Sequence, residues 1–351
     1  MPHTLRFGLD SFGDSAHDAA GARISDAQTI RDIVAQARLA DELGLYGFSL
    51  GEHHREDFAV SAPDTILAGI ATVTENLSLG TAVTILSTDD PVRVYERFAT
   101  LQALSDGRAE ITVGRGSYLE SFQLFGFDPA DSFTLFEERV DLFAKLLKQQ
   151  PVTWRGTTRA SLSMQEVFPK LETSLGFRYA VGGSPESAIN AAKLGAQLSL
   201  SVISGDPIRF ADYVQSYRDA LKKFGHAPQL TSVHGPGFIG ATDDAAIEEF
   251  WPLYDASYGK ISRERGREVP AQFACAKDHF VHEVRHGALY VGSPDTVAAK
   301  IARTVGALGV NRFDFKYSAG PMTPQTALAN IAAYATEVAP RVVGLLADAA
   351  A

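Results

Sequence analysis

The chain has 351 residues, of which 45% are hydrophobic and 21% charged, and this balance predicts a folded globular protein. Its net charge of −10 disfavours nucleic acid and anionic membranes as partners, because both present negative charge to the protein that binds them. The single cysteine, Cys275, cannot form a disulfide within the chain, and the N-terminal segment lacks the pattern of a secretion signal. We therefore predict a cytoplasmic protein without a spanning helix.

Short runs rich in Val, Ile and Phe alternate along the chain with longer amphipathic stretches, which is typical of βαβ units around a parallel sheet. Eight strands are predicted, at Leu5–Ser11, Tyr46–Leu50, Leu77–Ile85, Ala109–Val113, Arg178–Val181, Gln197–Val202, Thr231–Gly240 and Arg312–Tyr317. Helices are predicted at Asp26–Leu43, Val92–Leu104, Leu135–Leu147, Pro185–Leu194, Pro207–Phe224, Asp295–Leu308 and Pro324–Val338. These repeats predict an α/β protein with a single (β/α)8 TIM barrel domain over residues 1–351.

An open, doubly wound sheet is the alternative fold. It does not need an eighth strand and usually carries a glycine-rich turn after its first strand. Here that position reads FGDSAHDAAGARI, which lacks the fingerprint, so the barrel is preferred. Irregular stretches are predicted at Asp14–Arg23, Gly116–Phe133, Thr153–Leu175 and Tyr258–Ala288. We interpret the last two as loop insertions at the C-terminal face, over the barrel mouth.

Barrel enzymes carry their working residues at the carboxyl ends of the strands. Glu52, His53 and His54 directly follow the second predicted strand. Imidazole titrates near neutral pH, so His53 is a candidate general acid or base, and Glu52 and His54 are given supporting roles. A solvated turn and a metal site are the alternatives, although three adjacent residues on one short loop do not readily converge on a metal.

A candidate phosphate site is divided between two strand ends. Arg115 follows the fourth predicted strand, and Gly182, Gly183 and Ser184 follow the fifth, with Ser187 one turn further on. Glycines allow close backbone approach, the start of a helix favours an anion, and guanidinium matches phosphate geometry. A plain strand-to-helix turn is the alternative for Gly-Gly-Ser-Pro.

Three histidines in ACAKDHFVHEVRH, namely His279, His282 and His286, share one face if this segment is helical. Zinc accepts such ligands, but the spacing matches no metal motif. Solvated or pocket-lining histidines are the preferred interpretation, and no metal is predicted.

The run from Gly80 to Gly126 reads GTAVTILSTDDPVRVYERFATLQALSDGRAEITVGRGSYLESFQLFG, and GEHH (51–54) lies upstream of it. Together they resemble the bacterial luciferase-like, or alkanal monooxygenase-like, flavin-dependent monooxygenases. YAVGGSPESAINAAKLG (179–195) and VGSPDTVAAKI (291–301) carry the pattern more faintly, so the resemblance covers most of the chain. Asp89 and Asp90 stand where luciferases proper carry other residues, so light-emitting aldehyde oxidation is not implied.

The resemblance assigns roles within this chain. It implies that His53 is the catalytic histidine and that Tyr118 is an active-site residue contacting cofactor or substrate. It implies a non-prolyl cis peptide between Ala82 and Val83, lying with Thr84 against the flavin ring. It also implies that the FMN phosphate is held by Arg115 and by the turn at Gly182, Gly183, Ser184 and Ser187.

The function implied is an FMN-dependent monooxygenase that uses reduced flavin and O2 to oxidise a small organic substrate. NAD(P)H would act directly or through a separate flavin reductase, and a homodimer is expected. A deazaflavin (F420)-dependent hydride-transferring oxidoreductase, a non-catalytic flavin-binding barrel and a metal-dependent hydrolase are the alternatives. The sequence names no substrate.

Overall fold

Parallel strands close into a barrel in the computed structural model, which describes residues 5–350. The strands are β1 (Arg6–Ser11), β2 (Gly47–Leu50), β3 (Ser78–Thr81), β4 (Thr84–Ile85), β5 (Glu110–Gly114), β6 (Val152–Trp154), β7 (Leu162–Gln165), β8 (Gly176–Val181), β9 (Gln197–Ser201), β10 (Thr231–Ile239), β11 (Tyr290–Gly292) and β12 (Arg312–Lys316). Their order is β3-β2-β1-β12-β10-β9-β8-β5-β4, and a parallel bridge between Leu79 and Ala109 joins β3 to β5. β11 extends the sheet beside β10, and β6 pairs with β7 in a separate antiparallel hairpin.

Helices lie between the barrel strands. They are α1 (Asp26–Glu42), α2 (Pro63–Ala71), α3 (Pro91–Leu104), α4 (Glu120–Phe125), α5 (Ser132–Leu146), α6 (Pro185–Lys193), α7 (Ala211–Lys223), α8 (Asp243–Tyr254), α9 (Lys260–Glu264), α10 (Ala276–His286), α11 (Pro294–Leu308), α12 (Pro324–Ala333) and α13 (Ala339–Ala350). Short 3₁₀ turns lie at Pro129–Asp131 and Pro207–Phe210, and π-helical turns at Asp255–Gly259 and Tyr334–Val338. Within residues 5–350, no helix combines the length and apolar character needed to cross a membrane.

The predicted (β/α)8 barrel is confirmed, and its strands lie where the apolar runs placed them. The third predicted strand, Leu77–Ile85, is divided into β3 and β4 by a cis peptide bond between Ala82 and Val83. Helix α2 was not predicted, because PDTILAGIA is too apolar to show an amphipathic pattern. Helices α8 and α10 were also missed, and α10 occupies part of the stretch that was predicted to be irregular.

The sequence starts its helices by side-chain capping. At six helix starts a Ser, Thr or Asp oxygen accepts a hydrogen bond from a backbone N–H of the first turn, which satisfies a donor that the helix leaves unpaired. These residues are Ser25, Asp90, Ser184, Thr242, Ser293 and Thr323. Four of them are followed by a proline at the first helical position, where its missing N–H costs nothing.

The barrel interior contains buried charged side chains in place of the branched apolar side chains that are usual in such barrels. Glu110, Arg178, Arg312 and Asp314 form one group, the barrel ion cluster, with Arg312 Nη1 2.6 Å from Glu110 Oε1 and Arg178 Nη2 2.9 Å from Asp314 Oδ2. Glycines make room for it: a Cβ on Gly80 would lie 2.8 Å from Glu110 Cγ, and one on Gly176 2.9 Å from Glu110 Cβ. Arg178 lines both the cavity at the carboxyl ends of the strands and another of about 350 Å³ at their amino ends.

The two predicted insertions lie in different places. Residues 258–267, at the start of the Tyr258–Ala288 stretch, contribute to the wall of the barrel mouth, as expected. The expectation for Thr153–Leu175 was wrong: this segment carries the β6–β7 hairpin and packs outside the barrel, where Arg159 Nε lies 2.9 Å from Asp90 Oδ2 and Tyr95 donates to the Pro169 carbonyl. Of the residues that the structure describes, none between 153 and 175 lines the mouth cavity. The segment joins α5 to β8, and such connections lead back to the amino end of the next strand.

Candidate active site at the barrel mouth

A cavity of about 420 Å³ opens at the carboxyl ends of the barrel strands, and we call it the mouth cavity. Its size is within the usual range for small-molecule sites. Of the predicted site residues, its wall contains His53, Ala82, Val83, Arg115, Tyr118, Gly182 and Gly183. Residues from four predicted strand ends therefore line one cavity.

His53 lies in the wall of the mouth cavity between aromatic rings. Its imidazole stacks on Phe58 at 4.2 Å between ring centroids and lies 5.1 Å from Phe12 and 5.3 Å from Tyr118. Burial, reinforced by the charge of Lys316, lowers the pKa of His53 from 6.5 to about 3. His53 is therefore a neutral imidazole at physiological pH, able to form a hydrogen bond but not to carry a positive charge there. This differs from the neutral-range titration that its residue type alone suggests.

Glu52 holds the loop that carries His53 against strand β4. Its Oε2 accepts a hydrogen bond from the backbone N–H of Ile85 at 2.9 Å, and its Oε1 lies 3.0 Å from His54 Nε2. The ring of His54 meets Phe125 edge-on at 5.0 Å. Glu52 and His54 thus have the supporting contacts that were predicted for them.

Tyr118 lies between two guanidinium groups at the rim. Arg55 Cζ is 5.4 Å and Arg265 Cζ is 4.8 Å from the centre of its ring, both at distances where a cation is attracted to an aromatic face. Burial raises the pKa of Tyr118 to about 12, so its phenol stays protonated and can donate a hydrogen bond into the mouth cavity.

Ala82, Val83 and Gly114 form one side of the mouth cavity where β3 passes into β4. The side chain of Val83 lies over Gly114, since a Cβ added at Gly114 would come within 2.7 Å of Val83 Cγ2. The glycine on the neighbouring strand accommodates the bulk of this valine. Thr84 is buried outside the cavity lining, where its hydroxyl donates to Thr81 Oγ1 at 3.0 Å.

Arg115, Gly182 and Gly183 line the mouth cavity and follow the neighbouring strands β5 and β8. The Arg115 side chain is exposed, and no hydrogen bond or ion pair joins it to another of residues 5–350. A Cβ on Gly183 would meet no atom within 4 Å, so the backbone there faces open space. Ser184 and Ser187 are outside the lining: Ser184 Oγ accepts from the Ser187 N–H at 3.3 Å and caps α6.

Sequence reasoning missed a buried pair in the same cavity. His234 Nδ1, on β10, lies 2.8 Å from Asp10 Oδ2, on β1, and both residues belong to the lining. Tyr258 also lines the cavity, and its buried hydroxyl has no hydrogen-bond partner among residues 5–350. Alternation along β10 would have placed His234 on the inward face, but no local signal connects it to Asp10, 224 positions away.

One segment covers the mouth cavity from the side. It comprises the π-helical turn Asp255–Gly259, α9 and residues 265–267, and we call it the mouth segment. Arg55 Nη2 binds Glu264 Oε2 at 2.6 Å, and Lys260 Nζ binds Asp57 Oδ1 at 2.5 Å. Arg55 also binds Asp57 at 2.9 Å and pairs with Glu120 on α4. Three separate parts of the chain therefore meet at Arg55, beside His53.

Asp89 and Asp90 are structural residues in this fold. Asp90 Oδ1 accepts the Val92 N–H at 2.9 Å at the start of α3, and Asp89 pairs with Arg97. Neither belongs to the lining of the mouth cavity. They place no carboxylate in the pocket.

The histidines of α10 pack with one another and with Phe273. His279 stacks on Phe273 at 4.8 Å, and the rings of His282 and His286 are 5.0 Å apart. Within residues 5–350 no group of three or more His, Cys, Asp or Glu side chains is arranged to hold a metal ion.

The fold and the mouth cavity define a (β/α)8 barrel protein with a cavity of small-molecule size at the carboxyl ends of its strands. The model of one family, the luciferase-like monooxygenases, matches residues 10–312, and the chain belongs to that family. The resemblance seen in the Gly80–Gly126 run is thereby confirmed.

Several curated relatives of the chain are named as monooxygenases. N-acetyl-S-alkylcysteine monooxygenase of Bacillus subtilis is 31% identical over 173 residues, which cover 48% of this chain and 50% of that protein. The chain spans about half the length of the curated relatives it matches.

Two solved structures show the same fold. The oxygenating constituent of 3,6-diketocamphane monooxygenase from the CAM plasmid of Pseudomonas putida, in complex with FMN, superimposes with a TM-score of 0.78 at 18% identity, covering 97% of this chain and 99% of that one. An F420-dependent secondary alcohol dehydrogenase superimposes with a TM-score of 0.73 at 18% identity and the same coverage. At these identities the likeness concerns the fold.

Proposed function

We propose that this chain is an FMN-dependent monooxygenase that uses reduced flavin and O2 to oxidise a small organic substrate in the mouth cavity. The observation that carries this proposal is the part of the cavity lining formed by Arg115, after β5, and by Gly182 and Gly183, after the adjacent strand β8. An arginine that pairs with none of residues 5–350, on the strand end next to a glycine turn that leads into a helix start, is suited to a phosphate. The family membership supports a flavin as the group to which that phosphate belongs.

The lining near Ala82 and Val83 supports the same proposal for the ring of the flavin. Ala82 and Val83 form a side of the cavity with little projecting side-chain bulk, because the side chain of the valine lies over Gly114. A planar ring needs such a surface. A bound flavin would supply the electrons and the reactivity toward O2, and the protein would supply position, dryness and proton handling.

The aromatic rings beside the mouth cavity would exclude water from the bound ligand. Phe58, Tyr118 and the neutral ring of His53 pack within 6.0 Å of one another, and the mouth segment lies beside them. Neutral His53 can donate or accept one hydrogen bond toward a bound ligand. In a dry site such a bond is stronger than in water.

F420 is the second candidate cofactor, because an F420-dependent dehydrogenase shares this fold over 97% of the chain. With F420 the reaction would be hydride transfer without O2. Both cofactors carry a phosphate, so the arrangement at Arg115 is compatible with either.

Cofactor titration tests the proposal. The purified protein is titrated anaerobically with reduced FMN and, in parallel, with reduced F420, and O2 is then admitted to each complex. We expect saturable binding of reduced FMN and oxidation of an added organic substrate that depends on O2. Binding of F420 alone, with hydride transfer in the absence of O2, would replace this proposal with the second candidate.

Two further outcomes contradict it. Binding of FMN without substrate oxidation across a broad panel of small ketones, aldehydes, thioethers and phenols would indicate a flavin-binding barrel without catalysis. Failure to bind either cofactor would remove the flavin function altogether.

A further inference from the structure

The base of the mouth cavity contains a carboxylate and an imidazole that only the barrel brings together. Asp10 lies on β1 and His234 on β10, with β12 between them in the strand order. His234 Nδ1 is 2.8 Å from Asp10 Oδ2, and the two residues are 7% and 2% exposed. A carboxylate that accepts from Nδ1–H holds imidazole in the tautomer whose Nε2 can take up a proton.

The groups around this pair are already engaged or do not ionise. From β12, Asp314 is the register partner of His234 and is bound to Arg178, and Lys316 lies 3.2 Å from Asp14. From the mouth segment, burial raises the pKa of Tyr258 well above its ordinary value. The ring of Phe12, 5.9 Å from His234, separates it from His53.

His53 is poorly suited to move protons at neutral pH. Its pKa of about 3 leaves it neutral, and its Nδ1 has no partner among the described residues. A proton carrier needs both protonation states within reach at the working pH. His234 is the other imidazole in the lining of the mouth cavity, and it alone is paired with a carboxylate.

We propose that His234 is the proton carrier of the mouth cavity and that Asp10 is its positioning residue. The proposal rests on the flavin-and-O2 function proposed above. In that reaction reduced flavin gives up two electrons and two protons, one oxygen atom enters the substrate, and the other leaves as water. Without a substrate the same electrons and protons convert O2 to hydrogen peroxide. His234 Nε2 takes up one of the two protons and returns it to the departing oxygen, while the proton on Nδ1 stays there and remains hydrogen-bonded to Asp10.

The first test needs no turnover. ¹⁵N spectra of protein labelled at its nine histidines report which ring nitrogen carries the proton in each neutral imidazole, and the His234→Gln variant assigns the His234 signals. We expect the Nδ1–H tautomer for His234 in the parent protein and a mixture of tautomers in Asp10→Asn. An Nε2–H tautomer in the parent, or a tautomer that Asp10→Asn leaves unchanged, would overturn the pairing.

The second test follows the oxidation of protein-bound reduced FMN by O2 from pH 5 to 9. We expect His234→Gln to slow this oxidation by roughly 10²–10⁴ and to flatten its dependence on pH, with a smaller loss in Asp10→Asn. The matched control is His282→Gln, because His282 is exposed on α10 and outside the cavity lining. A His234→Gln variant that keeps the rate and pH profile of the parent would refute the role.

Affinity for reduced FMN, measured under anaerobic conditions by quenching of the protein's tryptophan fluorescence, separates the two proposals. If the parent protein does not bind FMN, the proposed function fails. If the parent and His234→Gln bind FMN equally and oxidise it with the same pH profile, the function stands and the role of His234 fails.

Discussion

At the scale of single residues, the surroundings of a side chain decide what its chemistry can do. His53 was singled out by residue type and by its place after β2, yet burial and the charge of Lys316 lower its pKa to about 3. Arg115 was singled out for the same kind of reason, and the structure leaves its guanidinium exposed at the mouth cavity. The same kind of sequence argument thus led to His53, whose charge state the fold alters, and to Arg115, whose guanidinium stays accessible to an anion.

The lowered pKa of His53 makes stability depend on pH. Between pH 6.5 and about 3 the unfolded chain binds a proton at His53 that the folded chain does not, so stability is complete above that window and is lost as pH falls through it. We expect the free energy of unfolding of His53→Gln to fall less between pH 7 and pH 4 than that of the parent, by about 2–3 kcal/mol. Urea unfolding at each pH measures this, with His282→Gln as the control. Parallel curves for parent and His53→Gln would contradict the assignment.

Arg115 should distinguish a phosphate from the rest of a flavin. We expect Arg115→Gln to weaken the binding of FMN by about 10–100-fold, the usual value of one charge-assisted hydrogen bond, and to leave the affinity for riboflavin unchanged because riboflavin lacks the phosphate. Fluorescence quenching measures both affinities. Arg93→Gln, on the exposed face of α3, is the matched control. An equal loss for riboflavin and FMN would place Arg115 against another part of the ligand.

At the scale of elements, the loop after β2 and the mouth segment are joined through charges. Arg55, 13% exposed, binds Asp57 in its own loop, Glu264 on α9 and Glu120 on α4. A partly buried arginine that pairs with three carboxylates contributes more to stability than an isolated surface ion pair does. Ion pairs therefore join the mouth segment to the loop that carries His53, through Lys260 with Asp57 and through Arg55 with Glu264.

Removal of the Arg55 side chain should loosen the mouth segment locally. We expect backbone amides of residues 255–267 to exchange hydrogen roughly tenfold faster in Arg55→Gln, which corresponds to about 1.4 kcal/mol of local stability. Exchange followed by mass spectrometry measures this, and the barrel strands should be unaffected. Arg38→Gln, which removes an exposed pair with Glu42 on α1, is the control. Unchanged exchange in residues 255–267 would show that packing alone holds the segment.

At the scale of the whole molecule, the strands of the barrel surround a group of buried charged side chains. The barrel ion cluster contains two arginines and two carboxylates, and glycines on both strands beside Glu110 leave room for it. Although burial opposes its ionisation, Arg312 and Arg178 hold the pKa of Glu110 below its ordinary value. The cluster stays charged because its members neutralise one another.

Breaking this balance should destabilise the entire fold. We expect Glu110→Gln to lower the free energy of unfolding by about 3–5 kcal/mol, because it leaves buried positive charge without its partner. Denaturant unfolding measures the change. Glu42→Gln, which removes a carboxylate 58% exposed on α1, should cost less than about 1 kcal/mol. Similar small losses in both variants would mean that water or other groups compensate the arginines.

Periodicity and residue type were sufficient for the barrel and for part of its site. Apolar runs mark strands because a strand of a parallel barrel is covered by helices, and capping residues mark helix starts because backbone donors there need acceptors. His53, Tyr118, Arg115 and Gly182–Gly183 all follow predicted strands, and parallel strands in a barrel deliver their carboxyl ends to one face. These local signals act over a few residues and can be read from the sequence.

Only the tertiary structure decided which distant side chains meet and with what charge. Asp10 and His234 are adjacent because β1 and β10 flank β12, and Arg55 reaches Glu264 because the mouth segment folds back over the loop after β2. The neutral state of His53 and the ionised state of Glu110 depend on burial and on charges far away in the chain. Electrostatic energies follow distance in space, and the sequence alone does not contain those distances.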